Sequence, residues 1–199
     1  MKLLDIVLLP KNFYIRITDK KVSLYVGMLI VGILDLFFPL IDNYSVLFEG
    51  KAENTLGFNL AISVLFVIVL GAIDVLFFSL PATDVFKFLK KKSGATKVDN
   101  LAVKVMKIYI TPHILIMPVN ILFYLALTKV NLGNNWVVVN AAGIYFYLLM
   151  PIWFSAVISR GISVIYGFGY SLKRIAFIAV LAWNFILGYV LQYMIDKWI

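Results

Sequence analysis

Apolar residues run through this chain in long stretches, and polar residues gather at the breaks between them. Five stretches, at 22–41, 60–80, 108–128, 136–158 and 175–195, each hold about 20 mostly apolar residues, the length a helix needs to cross the hydrocarbon of a bilayer. A shorter pattern precedes the third. In "GATKVDNLAVKVMKIY" the positions Val98, Leu101, Ala102, Val105, Met106 and Tyr109 recur at helical spacing behind Thr96 and Asp99, a candidate capping box. An amphipathic helix is therefore expected to run straight into the third span. The N-terminal "LLDIVLLPKNFYIRI" is a second interfacial segment, in which Pro10 ends one apolar run before Phe13, Tyr14 and Ile17 begin another. The pattern predicts an all-α integral membrane protein with one domain over 1–199. It comprises an interfacial segment at 1–21, five transmembrane helices and a basic loop at 84–107 that carries the amphipathic helix.

Composition agrees with a lipid solvent, because 63% of residues are hydrophobic and 14% charged, and mean hydropathy is +0.98. Lys and Arg fall unevenly about the spans. Five precede the first (Lys2, Lys11, Arg16, Lys20, Lys21), seven lie between the second and third (Lys87, Lys90, Lys91, Lys92, Lys97, Lys104, Lys107), and three lie between the fourth and fifth (Arg160, Lys173, Arg174). The other side holds only Lys51, Lys129 and Lys197. The positive-inside rule then places the N-terminus in the cytoplasm and the C-terminus outside, with an odd number of spans. The net charge of +8 reads as topology and attraction to anionic lipid. Lys87, Lys90, Lys91, Lys92, Lys104 and Lys107 are the expected headgroup contacts, each worth about 1 kcal/mol near an anionic surface. A nucleic-acid partner, which needs a soluble basic face, is not expected. Nor is a cleavable signal peptide, since "MKLLDIVLLPKNF" breaks at Pro10 without a small-residue cleavage site. With no cysteine, disulfides and thiolate chemistry are excluded, and no cofactor is expected.

Two of the spans carry the same short motif, "GILD" at Gly32–Asp35 and "GAID" at Gly71–Asp74. A charged Asp near the bilayer centre costs at least about 2.5–3.5 kcal/mol, so each acid calls for a partner or a use. The glycines one turn before them remove side chain where a neighbouring backbone can approach. Counting rise along oppositely directed spans puts the two acids about 10 Å apart in depth. That separation argues against a carboxylate dyad or a shared metal. His113, the chain's single histidine, shares the depth of Asp74, and a buried Asp74–His113 pair is expected. Tyr109, His113, Asn120 and Tyr124 fall on one stripe of the third span, and Asn120 and Asn184 both lie near the midplane, where they are candidates to meet. Asp35 has no basic residue at its depth; it is expected either to be protonated or to bond Tyr or Asn side chains such as Asn140.

Searching for catalytic patterns is unproductive. One His and no Cys leave no metal-ligand cluster, and H-E-x-x-H, G-x-S-x-G, P-loop and Rossmann glycine patterns are missing, so an enzyme is not expected. Three segments carry a family resemblance: "LLPKNFYIRI" before the first span, "NLAVKVMKIYITPHILIMPVNILF" entering the third, with Tyr109 followed by Pro112, and "GFGYSLKRIAFIAV" approaching the last. They resemble the Yip family of five-span membrane proteins, whose eukaryotic members interact with Rab GTPases, in a short prokaryotic form. The N-terminal region of about twenty residues and a "GYS" at Gly169–Ser171, ahead of the fifth span, depart from the eukaryotic pattern, so Rab binding is not carried over. The resemblance implies a non-enzymatic protein of a prokaryotic cell membrane that acts in membrane organisation, through lipids, other membrane proteins or copies of itself. The alternative is a small transporter or permease subunit in which Asp35, Asp74 and His113 line a path. The two differ in whether a polar cavity reaches the acids.

Overall fold

Helix is the only regular structure among the residues that the computed structural model describes, namely 5, 7–93, 100–128 and 135–198. A short helix α1 (Lys11–Ile15) precedes α2 (Lys21–Asp42), the one-turn α3 (Tyr44–Leu47), α4 (Glu53–Ser93) and α5 (Leu101–Thr128). A rod follows, made of α6 (Trp136–Ile144), a π-helical turn (Tyr145–Leu149) and α7 (Met150–Tyr166), and α8 (Tyr170–Trp198) ends the chain. By length and composition five of these can cross a membrane: α2, α4, α5, the Trp136–Tyr166 rod and α8. No more than 33% of the most apolar window of each is buried within the protein. Exposed Val22, Val26, Leu29 and Ile33 on α2, and Leu60, Val64 and Ile68 on α4, form stripes that suit hydrocarbon and would be untenable in water. The chain is an integral membrane protein.

Every observed helix outruns its expected span, and α4 does so most. Helix α4 passes Pro81 and takes in residues 84–93, expected as the start of a loop, ending at Ser93. The cause is a core contact beyond the apolar run: Phe86 is buried and meets the rings of Tyr166 and Phe168 at 6.1 and 6.0 Å. The amphipathic helix does run unbroken into the third span, from Leu101, while Thr96 and Asp99 lie outside the described residues. The fourth span is not a plain α-helix. Pro151 has no N–H to give to the turn before it and its ring crowds the carbonyl there, and the chain widens to a π turn just upstream.

The N-terminal segment is strapped to α7. Tyr14 is 1% exposed, and its hydroxyl is shared between Leu8 O at 2.9 Å and Val157 O at 3.0 Å. Its ring lies over Gly161, where a Cβ would come within 2.6 Å of Tyr14 Cε1. Trp153 Nε1 donates to Val7 O at 2.9 Å, and Arg160 pairs with Asp5. Burial raises the Tyr14 phenol pKa, against an opposing effect of the Arg160 guanidinium. Polar ties at both ends align α2 with α5: Asn100 Nδ2 to Asp19 Oδ2 (2.8 Å) and Lys107 Nζ to Thr18 O (2.6 Å) at one end, and the Tyr124 hydroxyl to Asp42 Oδ1 (2.7 Å) at the other.

Helices α2 and α4 cross where the repeated motifs begin. A Cβ on Gly32 would stand 2.0 Å from Val67 O, and one on Gly71 2.2 Å from Met28 O and 2.6 Å from Gly32 N. The two backbones are in direct contact, as small residues permit between membrane helices. Neither glycine can gain even a methyl group without parting the helices. Gly71→Ala is expected to cost about 1–3 kcal/mol through overpacking, read as a lower midpoint in detergent unfolding, whereas Gly57→Ala on the same helix, with nothing within 4 Å of its Cβ, leaves the midpoint unchanged or raised.

Candidate functional site

Each aspartate lies three residues beyond its glycine, on the C-terminal side of the crossing. Six residues of rise separate their backbones by about 9 Å, much as the depth count implied. In a helix, however, the Cα–Cβ bond leans toward the N-terminus. On two antiparallel helices both carboxylates therefore lean back toward the crossing and toward each other. Asp35, Asp74 and His113 offer ligand atoms that all lie within 4.8 Å of one another. The expectation that the repeat makes no carboxylate pair and no possible metal cluster is overturned, because it followed Cα heights and left out the direction of the side chains.

The third wall of the cluster is α5. His113 Nε2 stands 3.3 Å from Asp74 Oδ2, which realises the pairing expected from their common depth. The Tyr109 hydroxyl donates to Asp74 Oδ1 at 2.7 Å, and His113 Nδ1 lies 3.0 Å from Tyr109 O one turn back. Aromatic rings hold this face: Phe78 stacks on Tyr109 at 4.1 Å, and Phe154 meets the His113 ring edge-on at 4.5 Å. Asp74 is 0% exposed. Asp35 Oδ2 and Asp74 Oδ2 are both buried without a hydrogen-bond partner. Two carboxylates and an imidazole withdrawn from water call for neutralisation, by protons on the carboxyls or by a cation, since an isolated buried carboxylate is very costly.

A cavity of about 400 Å³ reaches the cluster. Asn184, Leu187, Gly188, Leu191, Gln192 and Ile195 line it along one face of α8, and Phe146, Met150 and Pro151 of the π turn and its exit close the opposite wall. Gly188 widens it by having no side chain. The cavity thus extends from the buried acids toward the C-terminal end of α8.

The remaining expected residues go elsewhere. The stripe of the third span is divided: Tyr109 and His113 enter the cluster, Asn120 Oδ1 accepts from the Tyr145 hydroxyl at 3.2 Å, and Tyr124 reaches Asp42. Asn120 and Asn184 do not pair, since Asn184 Nδ2 donates to Ser155 Oγ at 2.8 Å while lining the cavity. Asn140 is exposed and donates to Trp136 O, so it is no partner for Asp35. Of the expected headgroup contacts, Lys107 is tied to Thr18 and Lys90 lies 5.7 Å over the Tyr166 ring, while Lys87 and Lys91 are exposed; the Lys92 side chain lies outside the described residues. Phe78, Phe154 and Gln192 had no signal in the sequence, because their place depends on which helix faces which. No protein-family model, curated protein or solved structure matches this chain. Tyr109→Phe strands Asp74 Oδ1 and is expected to lower stability by about 1–3 kcal/mol, measured by unfolding in detergent against the wild-type chain.

Proposed function

We propose that this chain is a small membrane transport protein or permease subunit whose Asp35, Asp74, His113 and Tyr109 cluster takes up a proton or cation from the α8 cavity. The observation that carries this reading is the cavity itself, since it runs from the buried carboxylates along α8 as far as Ile195. Ionisable groups inside a membrane are expensive, and where they border a cavity they mark ion and proton pathways. The basic end of the bundle, by the positive-inside rule, faces the cytoplasm of a prokaryotic cell, and the cavity then opens outward. Nothing in the proposed role calls for covalent chemistry by the protein.

A second reading, association with lipids or other membrane proteins as the Yip resemblance implies, has its own support. A groove of about 830 Å³ between α2 and α5 is apolar along Val22, Val26, Ile110 and Ile114 and is rimmed by Lys20, Lys21 and Lys107. Basic residues above an apolar cleft fit an anionic headgroup and its chain.

Two measurements separate the readings. In proteoliposomes carrying a trapped pH dye, the transport reading expects ion or proton flux that falls at least about tenfold in Asp74→Asn, a loss of about 1.4 kcal/mol or more in the rate-limiting step; wild-type flux no greater than that of empty vesicles sinks it. Native mass spectrometry from mixed vesicles should show anionic lipid retained by the wild-type chain and lost from a Lys20→Gln, Lys21→Gln double variant. Equal retention by both would remove the association reading's structural support.

A further inference from the structure

We propose that Asp35, Asp74 and His113 bind one divalent transition-metal ion of the Zn²⁺ class, reached through the α8 cavity. The inference names the ion for the site described above; it rests on the transport reading for the ion's passage, and its binding stands apart from that reading.

The histidine gives the first reason. Tyr109 O can only accept a hydrogen bond, so His113 Nδ1, 3.0 Å away, carries the ring hydrogen. In the neutral ring Nε2 then presents a lone pair, and it faces Asp74 Oδ2 at 3.3 Å. Yet Asp74 Oδ2 has no hydrogen-bond partner, so the contact lacks the alignment of a shared proton. Two lone pairs aimed at one place, with the far ring nitrogen anchored on a main-chain carbonyl, is how metal-binding histidines are commonly held. The Tyr109 hydroxyl does the corresponding work for Asp74: by engaging Oδ1 at 2.7 Å it leaves Oδ2 for the site.

Charge and size give the second. A single proton between His113 and Asp74 leaves Asp35, whose Oδ2 is buried and unpartnered, to be neutralised by a second proton. A dication balances both carboxylates, accepts the neutral imidazole as third donor and makes the cluster electroneutral in a medium that penalises net charge. Donors spread over no more than 4.8 Å close around an ion that takes ligands at about 2.0–2.2 Å after side-chain shifts of an ångström or so. The cavity supplies room for a water ligand. Imidazole among the donors favours Zn²⁺ and its late transition-metal neighbours over Mg²⁺ and Ca²⁺, which prefer oxygen alone.

The test uses the full chain in detergent micelles, stripped with chelator, and Zn²⁺ alone as the probe in isothermal titration. One ion per chain is expected, undisplaced by a hundredfold excess of Mg²⁺. Asp35→Asn and His113→Gln should each weaken binding by about 10–100-fold or more, and Tyr109→Phe, which keeps all three ligands, by about tenfold. Circular dichroism identifies variants that fold, and should Asp74→Asn not fold, the other three decide the matter. Absence of saturable binding, or undiminished binding in both Asp35→Asn and His113→Gln, overturns the inference. Asp74-dependent proton flux without Zn²⁺ binding overturns it and leaves the transport reading intact, whereas Zn²⁺ binding without flux supports the site and removes transport.

Discussion

Gly32 and Gly71 face each other across the antiparallel pair α2 and α4, and the contact of their backbones sets the scale for what lies around them. Packed helices with ordinary side chains at the contact stand about 8–10 Å apart. At such a distance two aspartates one turn beyond the crossing stand farther from each other. With both side chains removed, the axes close up, and the lean of each carboxylate toward its own N-terminus brings the two together. Helix α5, tied to α2 at both ends, then has one place to lie, and Tyr109 and His113 reach the acids from it.

Other polar side chains in the spans show why the acids behave differently. Thr83, Thr111 and Ser63 donate to the carbonyl four residues back in their own helix, at 2.6, 2.8 and 2.8 Å. A hydroxyl can settle in this way because helix carbonyls accept a second hydrogen bond. An ionised carboxylate only accepts, and a helix interior has no free N–H to offer. Where they are ionised, Asp35 and Asp74 must therefore look to another helix, or to a cation, for compensation. Asp74 accepts from Tyr109 at Oδ1 and has His113 Nε2 3.3 Å from Oδ2, but neither its Oδ2 nor that of Asp35 takes part in a hydrogen bond.

The cavity follows from equally local causes. Pro151 disrupts the regular turn before it, the π turn re-aims Phe146 and Met150, and Gly188 leaves the facing wall of α8 bare. Beside it, Phe78 and Phe154 pack the Tyr109 and His113 rings against water. The pocket reaches the imidazole and continues along α8.

The five spans were legible in the run of apolar residues, since length and hydropathy are local properties that need no knowledge of neighbours. So was the use of Gly32 and Gly71 for close approach, and the pairing of Asp74 with His113, because height in a bilayer can be counted along the chain. Height alone misplaced Asp35, and a straight stripe on α5 misassigned Asn120 and Tyr124, whose partners Tyr145 and Asp42 sit on different helices. The extension of α4 past the apolar run depends on Phe86 finding Tyr166 some eighty residues later. Sequence periodicity says which face of a helix is polar and how deep each residue lies; which other helix that face meets, and at what separation, is set by packing among all five, and the convergence of two acids, a histidine and a tyrosine is a product of that packing.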